Sequence, residues 1–236
     1  KVAGKGIQIL KDNGIEVITG ILDEECKASH KRFFTFHLKK RPYIILKWAQ
    51  SADGFMAPLH KNENKPVWLS NTYSRQLTHK WRSEEQGILV GRKTVIDDNP
   101  SLTTREYFGK NPIRLFLDKN GIIETSYEIL NNAAETIQFV INKTKKHQAP
   151  ISFDSTIDEV CKYCFENNIQ SVIIEGGRQT LQSFIDQNIW DEARVFEAEV
   201  ELKSGIEAPK LTHALKVKTQ YILNDQLTEY QNTSNE

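Results

Sequence analysis

Apolar residues recur along this chain in two rhythms, and the changeovers between them mark out the elements. From Tyr43 to Ala49 the positions are almost continuously apolar, the pattern of a strand covered on both faces. Gly87-Ile88-Leu89-Val90-Gly91, Ile113 to Leu117, Gln138 to Ile141 and Ser171-Val172-Ile173-Ile174 repeat it. Between these runs the spacing lengthens. Tyr73, Leu77 and Trp81 fall on one helical face behind a cap at Ser70 or Asn71. Ile157, Val160, Cys161, Cys164 and Phe165 share another, predicting a helix over Thr156 to Asn168. Leu181, Phe184 and Ile185 mark a further helix. Ala193 to Val200 and Val217 to Leu223 read as closing strands, and the polar end, Gln231 to Glu236, is expected to fray. Strands alternating with helices predict an α/β fold around a largely buried sheet.

The first residues break this rhythm. Gly6 to Lys11 reads as a helix, Asn13-Gly14 as its stop, and Ile15-Glu16-Val17-Ile18 as a short strand. Asp23-Glu24-Glu25 opens another helix, its acids where the helix dipole favours them. This tail has too little apolar surface to fold alone. It carries Ile7, Ile9, Leu10, Ile15, Val17, Phe33, Phe34 and Phe36, which it cannot bury internally, so it is expected to pack onto the rest. Lys39-Lys40-Arg41-Pro42 reads as a charged linker, dividing the chain into 1–40 and 41–236.

Composition narrows the picture. Lys plus Arg equals Asp plus Glu, 31 each, so the basic excess of a dedicated nucleic-acid binder is missing. No apolar run approaches the ~20 residues of a membrane span, and no apolar signal-peptide core opens the chain. The chain does not begin with Met, which predicts a fragment or a processed product. Three cysteines, Cys26, Cys161 and Cys164, argue against a disulfide framework and fit a reducing cytoplasm. Cys161 and Cys164 form a CxxC, but they lie on the apolar face of a helix with no second ligand pair nearby, so two buried thiols are expected and no metal.

Three clusters carry candidate chemistry. In Ile173-Ile174-Glu175-Gly176-Gly177-Arg178-Gln179-Thr180, an apolar strand ends in an acid, two glycines follow and a helix begins. Glycines admit a ligand to the backbone, and a helix N-terminus offers free N–H groups and partial positive charge, a phosphate-binding arrangement. The spacing is not GxGxxG, so a standard Rossmann site is disfavoured. In Lys47-Trp48-Ala49-Gln50-Ser51-Ala52-Asp53-Gly54 a strand bearing a lysine runs into a small polar turn. The third cluster is Gly91-Arg92-Lys93-Thr94 followed by Asp97-Asp98-Asn99-Pro100-Ser101-Leu102-Thr103-Thr104-Arg105, where Asp-Asn-Pro signals a turn. Asp98 and Arg105 are two arms of one ligand site or, as the cluster taken singly favours, a turn former and a solvated cation.

Taken in order, YIILKWAQSADG (Tyr43 to Gly54), Trp68-Leu69-Ser70, Trp81-Arg82, GILVGRKT (Gly87 to Thr94), DNPSLTTR (Asp98 to Arg105), PIRLFLD (Pro112 to Asp118) and Glu175-Gly176-Gly177 resemble the reductase domain of the bifunctional riboflavin-biosynthesis deaminase/reductases. The resemblance runs from about Arg41 to Leu223. Val2-Ala3-Gly4-Lys5-Gly6 and Gly14-Ile15-Glu16-Val17 are similar to the end of that family's deaminase domain. It implies a dihydrofolate-reductase-like α/β fold with a mostly parallel central sheet flanked by helices, a cytoplasmic homodimer, and NADPH as hydride donor. The implied reaction reduces 5-amino-6-(5-phosphoribosylamino)uracil to its ribityl counterpart at the ribosyl C1′. Carried over motif by motif, Lys47, Arg82, Asp98, Leu102, Arg105 and Glu175 would contact substrate. Ala49, Trp68, Thr94, Asp98 and the run Gly177, Arg178, Gln179, Thr180, Leu181, Gln182 and Ser183 would contact NADPH, with a phosphate near the N–H groups of Gly177 to Thr180. Opening the ribose ring needs proton transfer, for which Asp98 and Lys47 are the catalytic candidates. Arg82 and Arg105 suit the sugar phosphate, and Glu175 suits the N–H donors of a pyrimidine dione.

The sequence departs from the family in two places. Glu197 to Glu207 lacks the Pro-x-Leu-x-Gly that many members show after that strand, which puts the loop there in doubt. The zinc-deaminase signature is also absent: no His is followed two residues on by Glu, and Val160 precedes Cys161. A full-length protein would carry its zinc deaminase domain before this segment. Two other readings stay open from sequence: a different dihydrofolate-reductase-like pterin or pyrimidine reductase, and a non-catalytic nucleotide-binding remnant.

Overall fold

The computed structural model describes residues 4–59 and 67–235. The helices are α1 (Lys5–Asp12), α2 (Asp23–Ser29), α3 (Lys31–Lys39), α4 (Thr72–Glu84), α5 (Arg92–Asp98), α6 (Thr156–Glu166) and α7 (Arg178–Asp186). The strands are β1 (Tyr43–Gln50), β2 (Phe55–Ala57), β3 (Gly87–Gly91), β4 (Ile113–Leu117), β5 (Thr136–Val140), β6 (Gln148–Pro150), β7 (Ser171–Glu175), β8 (Glu192–Glu197), β9 (Ile206–Glu207), β10 (Ala214–Ile222) and β11 (Asp225–Asn232). Nine strands form one sheet in the order β10-β11-β8-β1-β7-β3-β4-β5-β6, while β2 and β9 pair separately. From β8 to β6 every neighbour is parallel; the hairpin β10–β11 adds an antiparallel edge.

Side-chain alternation along β1 explains why the sheet is buried on both faces. Ile44, Leu46 and Trp48 point to one side, against Val160, Cys164, Leu181 and Phe184 of α6 and α7. Tyr43 and Ile45 point to the other, against Trp81 of α4 and Val95 of α5. Cys161 and Cys164 are buried free thiols, and burial pushes both pKa values up, that of Cys161 to about 12. No helix among the described residues is long and apolar enough to cross a membrane, and none of their His, Cys, Asp and Glu side chains group as a metal site.

Several sequence expectations shift. Residues 15–18 form no strand: among the described residues they pair with no strand of either sheet, and a ladder needs a partner. Asp97 and Asp98 end helix α5 rather than lying in a turn; Asn99, at φ 41°, is the left-handed cap that stops it. Tyr73 is exposed, and α4 buries Ser74, Thr78, His79 and Trp81 instead. Gln231 and Asn232 are not frayed: they complete β11, and the Asn232 amide donates to the Trp190 carbonyl at 2.8 Å. Leu223, expected as strand, instead turns the β10–β11 hairpin at φ 53°.

The tail docks by one helix. Arg32 of α3 pairs with Glu85, Lys31 with Glu192 at 2.6 Å, and the Phe36 ring lies 4.9 Å from that of Phe165. The charged linker is anchored too, since Arg41 holds Asp191 with two bonds of 2.6 and 2.8 Å. Of the expected apolar contacts, Phe36 alone is buried; Ile7, Ile9, Leu10, Ile15, Phe33 and Phe34 stay exposed and Val17 is half-buried. Val2 and Ala3 lie outside the described residues.

Candidate active site

Parallel strands all end on the same side, so the loops that follow them converge there, and the cleft of an open α/β sheet lies where strand order reverses. Here β7 sits between β1 and β3. A cleft of about 1710 Å³ opens over the carboxyl ends of these strands and reaches β4. The tail, by contrast, docks at the opposite ends, near Tyr43 and Glu192.

The floor of the cleft is a charged triad. Lys47 and Glu175 are register partners on the adjacent strands β1 and β7, so their side chains emerge side by side on the α4 face. Arg82, from the last turn of α4, clamps Glu175 through Nη2–Oε2 at 2.7 Å and Nε–Oε1 at 3.2 Å. Its remaining nitrogen, Nη1, donates to the Thr103 carbonyl at 3.3 Å. Burial alone would raise the Glu175 pKa, but Arg82 and Lys47 hold it down at about 2. Burial lowers that of Lys47, opposed by Glu175. The floor is therefore a fixed carboxylate with two cations, one of them easier to deprotonate than an ordinary lysine.

One flank is the segment after α5. Leu102, buried at φ 52°, turns the chain so that Ser101 and Arg105 both face the cleft, and Ser101 Oγ accepts from Arg105 Nη1 at 2.8 Å. The fully buried Arg114 holds this segment from below, its Nη1 donating to the Ser101 carbonyl at 3.3 Å. Asp98 lines the cleft from the end of α5.

The other flank is made of backbone. Gly176 (φ 85°) and Gly177 (φ 73°) lie in the left-handed region that an L side chain rarely adopts. A Cβ on Gly176 would also meet Thr94 Cγ2 at 2.8 Å. Helix α7 starts at once, with no side-chain cap, and its ladder begins with Leu181 N–H to the Gly177 carbonyl. The N–H groups of 178–180 thus precede the ladder and, among the described residues, are left for an anion.

Of the residues singled out from sequence, Lys47, Ala49, Trp68, Arg82, Thr94, Asp98, Leu102, Arg105, Glu175, Gly177, Arg178, Gln179, Thr180, Gln182 and Ser183 all line this cleft. Leu181 does not: it is fully buried against α6 and the sheet, because the helix face that meets the core lies opposite the one that meets the cleft. Arg82 directs three of its five N–H donors at Glu175 and the Thr103 carbonyl, so it is a countercharge to Glu175 as well as part of the lining. Sequence reasoning missed Lys119 and Asn120 beyond β4, and Met56, Ala57 and Ile206 on the wall formed by β2 and β9. Position just past a parallel strand is the signal that would have found Lys119 and Asn120.

The chain is similar to known proteins. A family model described as the RibD C-terminal domain matches residues 42–226. A riboflavin biosynthesis protein RibD of Aquifex aeolicus is 33% identical over 239 residues, covering 94% of this chain and 66% of its own length. The chain thus spans just under two thirds of that relative. A crystal structure of a diaminohydroxyphosphoribosylaminopyrimidine deaminase/5-amino-6-(5-phosphoribosylamino)uracil reductase from Thermotoga maritima superposes with a TM-score of 0.87 at 28% identity, covering 98% of this chain and 68% of that one. Dihydrofolate reductase from Enterococcus faecalis, complexed with NADP(H), shares the fold alone, at a TM-score of 0.52 and 13% identity over 80% of this chain and 95% of that one.

Proposed function

The chain belongs to the RibD C-terminal domain family, and from that premise we propose that it reduces 5-amino-6-(5-phosphoribosylamino)uracil to the ribityl compound in riboflavin biosynthesis, with NADPH as the hydride donor. The observation that carries this reading is the juxtaposition of the Lys47–Glu175–Arg82 floor with the Gly176-Gly177 turn in one cleft. A phosphate-bearing cofactor fits the second half: free N–H groups at 178–180, two left-handed glycines, and Arg92, Lys93, Lys119 and Arg178 on the lining. Ala49, Trp68 and Thr94 line the same cleft, and Thr94 lies against the glycine turn. NADPH, when bound, supplies the hydride; the chain supplies orientation and proton handling.

The residues divide that labour. Ring opening at C1′ needs a proton on the ring oxygen, and an imine is a better hydride acceptor when protonated. Asp98 relays that proton from the flank, and Lys47, its pKa lowered by burial, is a second source within the floor. Glu175, kept ionised, accepts from the N–H groups of the pyrimidine dione. Arg82 holds Glu175 in place, which leaves Arg105, exposed and steadied by Ser101, as the guanidinium for the sugar phosphate. Leu102 packs beneath the same loop.

The reading extends to the whole protein: a cytoplasmic homodimer in which residues 1–40 end a zinc deaminase domain. Similarity to the Thermotoga structure across 98% of the chain supports that assignment of the tail. The deciding experiment is turnover of the ribosylaminouracil phosphate, followed by NADPH oxidation. Steady oxidation that needs this substrate supports the proposal; oxidation that ignores it, or prefers a pterin, sinks it. Sedimentation of the purified chain tests the dimer.

A further inference from the structure

The turn after β1 carries a carboxylate for which the chemistry above has no use. Asp53 Oδ1 accepts from Ser51 Oγ at 2.5 Å and from Leu202 N–H at 3.1 Å, and Oδ2 accepts from Lys203 N–H at 2.7 Å. The Ser51 hydroxyl bond is the main reason its pKa lies below the usual carboxylate range. Two remote parts of the chain, 149 to 150 residues apart, therefore meet at one exposed side chain. Around it, Ala52 N–H donates to the Val200 carbonyl and Ala208 N–H to the Gly54 carbonyl, each at 2.9 Å. Lys203 is held at φ 63°, a conformation that needs an external hold in a residue other than glycine.

The loop so gathered is the stretch after β8 that lacks the family's Pro-x-Leu-x-Gly. It leads into β9, which pairs with β2, and this small sheet presents Met56, Ala57 and Ile206 to the cleft. The same sheet is tied to the start of α7: Arg178 Nη2 lies 3.2 Å from Glu207, and Lys210 N–H donates to Gln182 Oε1 at 2.9 Å. It thus walls the glycine-turn flank of the cleft and not the Arg105 flank.

We propose that Asp53 is a positioning residue whose carboxylate fastens the 200–207 loop to the turn after β1 and so sets the wall of the cleft that faces NADPH. The proposal rests on the cofactor reading given above. Removing the ionised acceptor of the Leu202 and Lys203 N–H groups loosens the loop between its remaining ties at Val200 and Ala208. The wall then samples open positions, and cofactor affinity falls by the share of time the competent position is lost.

The test compares the wild type with Asp53→Ala, Asp53→Asn and Gly205→Ala. A Cβ on Gly205 would run into the Ala57 carbonyl and Phe55 Cβ, prising β9 from β2 without touching the carboxylate. Amide hydrogen exchange over 201–208, NADPH affinity by quenching of Trp48 and Trp68, and kinetics with each ligand varied are the readouts. Asp53→Ala should speed exchange over 201–208 and weaken NADPH roughly tenfold, with substrate KM and saturated kcat near wild type. Asp53→Asn, which keeps one acceptor oxygen, should fall between, and Gly205→Ala should match the alanine variant. Unchanged exchange in Asp53→Ala overturns the fastening role. Faster exchange with unchanged NADPH affinity overturns the positioning role. A wild type that fails to bind NADPH overturns the cofactor reading, and with it the positioning role, while the exchange arm still decides the fastening.

Discussion

The two flanks of the cleft are built by opposite means. The turn at Gly176-Gly177 works through backbone, and everything it needs lies within Glu175 to Thr180, contiguous in the chain. The charged floor and the Arg105 flank work through side chains drawn from β1, α4, α5 and β7, which meet because the sheet order places β7 between β1 and β3. A contiguous device tolerates most changes that leave its backbone conformation accessible. An assembled one depends on every partner, since removing one leaves the others buried with unmatched charge.

Substitutions that separate the two flanks test this contrast. The largest effect is expected at Asp98: with Asp98 as the proposed proton relay, Asp98→Asn should lower kcat by about 10²–10⁴-fold with NADPH affinity nearly unchanged. Near-normal kcat would make Asp98 a positioning residue and move the proton to Lys47, water or the substrate.

Glu175→Gln should be the costliest change for stability. It strands Arg82 and Lys47 in the floor and should lose about 3 kcal/mol of unfolding free energy near neutral pH, read by denaturant titration. The sign of the pH dependence follows from a folded-state pKa of about 2 against 4.5 unfolded. The advantage of the wild type over Glu175→Gln is fully present above pH 4.5 and disappears as pH falls through about 2. A constant difference across that window would show that Glu175 is not held ionised by its neighbours.

Arg105→Ala should act through binding, raising KM for the phosphorylated substrate by about ten- to a hundredfold and lowering kcat/KM by the same factor. An equal effect on the dephosphorylated substrate would remove Arg105 from the phosphate. The smallest effect is expected on the backbone flank. Gly177→Val places a branched side chain at φ 73° and crowds Thr94 Oγ1 at 3.2 Å, weakening NADPH by about tenfold at roughly 1–2 kcal/mol for a Cβ in the left-handed region. Loss of substrate binding instead of cofactor binding in this variant would merge the two flanks into one.

The same division explains what could be read without coordinates. The Gly-Gly turn, the strand runs and the helix faces are local patterns of period or conformation, so they are legible in a single stretch of residues. Fifteen of the sixteen site positions singled out line the cleft because the family resemblance carries a tertiary arrangement with it. Elsewhere reading failed for identifiable reasons. Residues 15–18 have the composition of a strand, but a strand exists only beside another. Tyr73 sits at a helical spacing from Trp81, but which side of α4 meets the sheet is settled by the sheet. Leu181 lies inside a motif that touches the cleft, yet its own direction is inward.

Sequence by itself determined the α/β class, the main buried strands and several of the helices, the glycine turn and the absence of a deaminase zinc signature. These depend on neighbours within a turn or two, or on which residue types are present at all. Only the tertiary structure decided that Arg82 serves Glu175, that Arg114 supports the loop of Arg105, that Asp53 gathers residues 200–207, and that the tail docks through Phe36 alone of its expected apolar residues. Each of these joins groups distant in the chain. Coulomb attraction and hydrogen bonds act over a few ångströms, and only the folded sheet brings such groups that close.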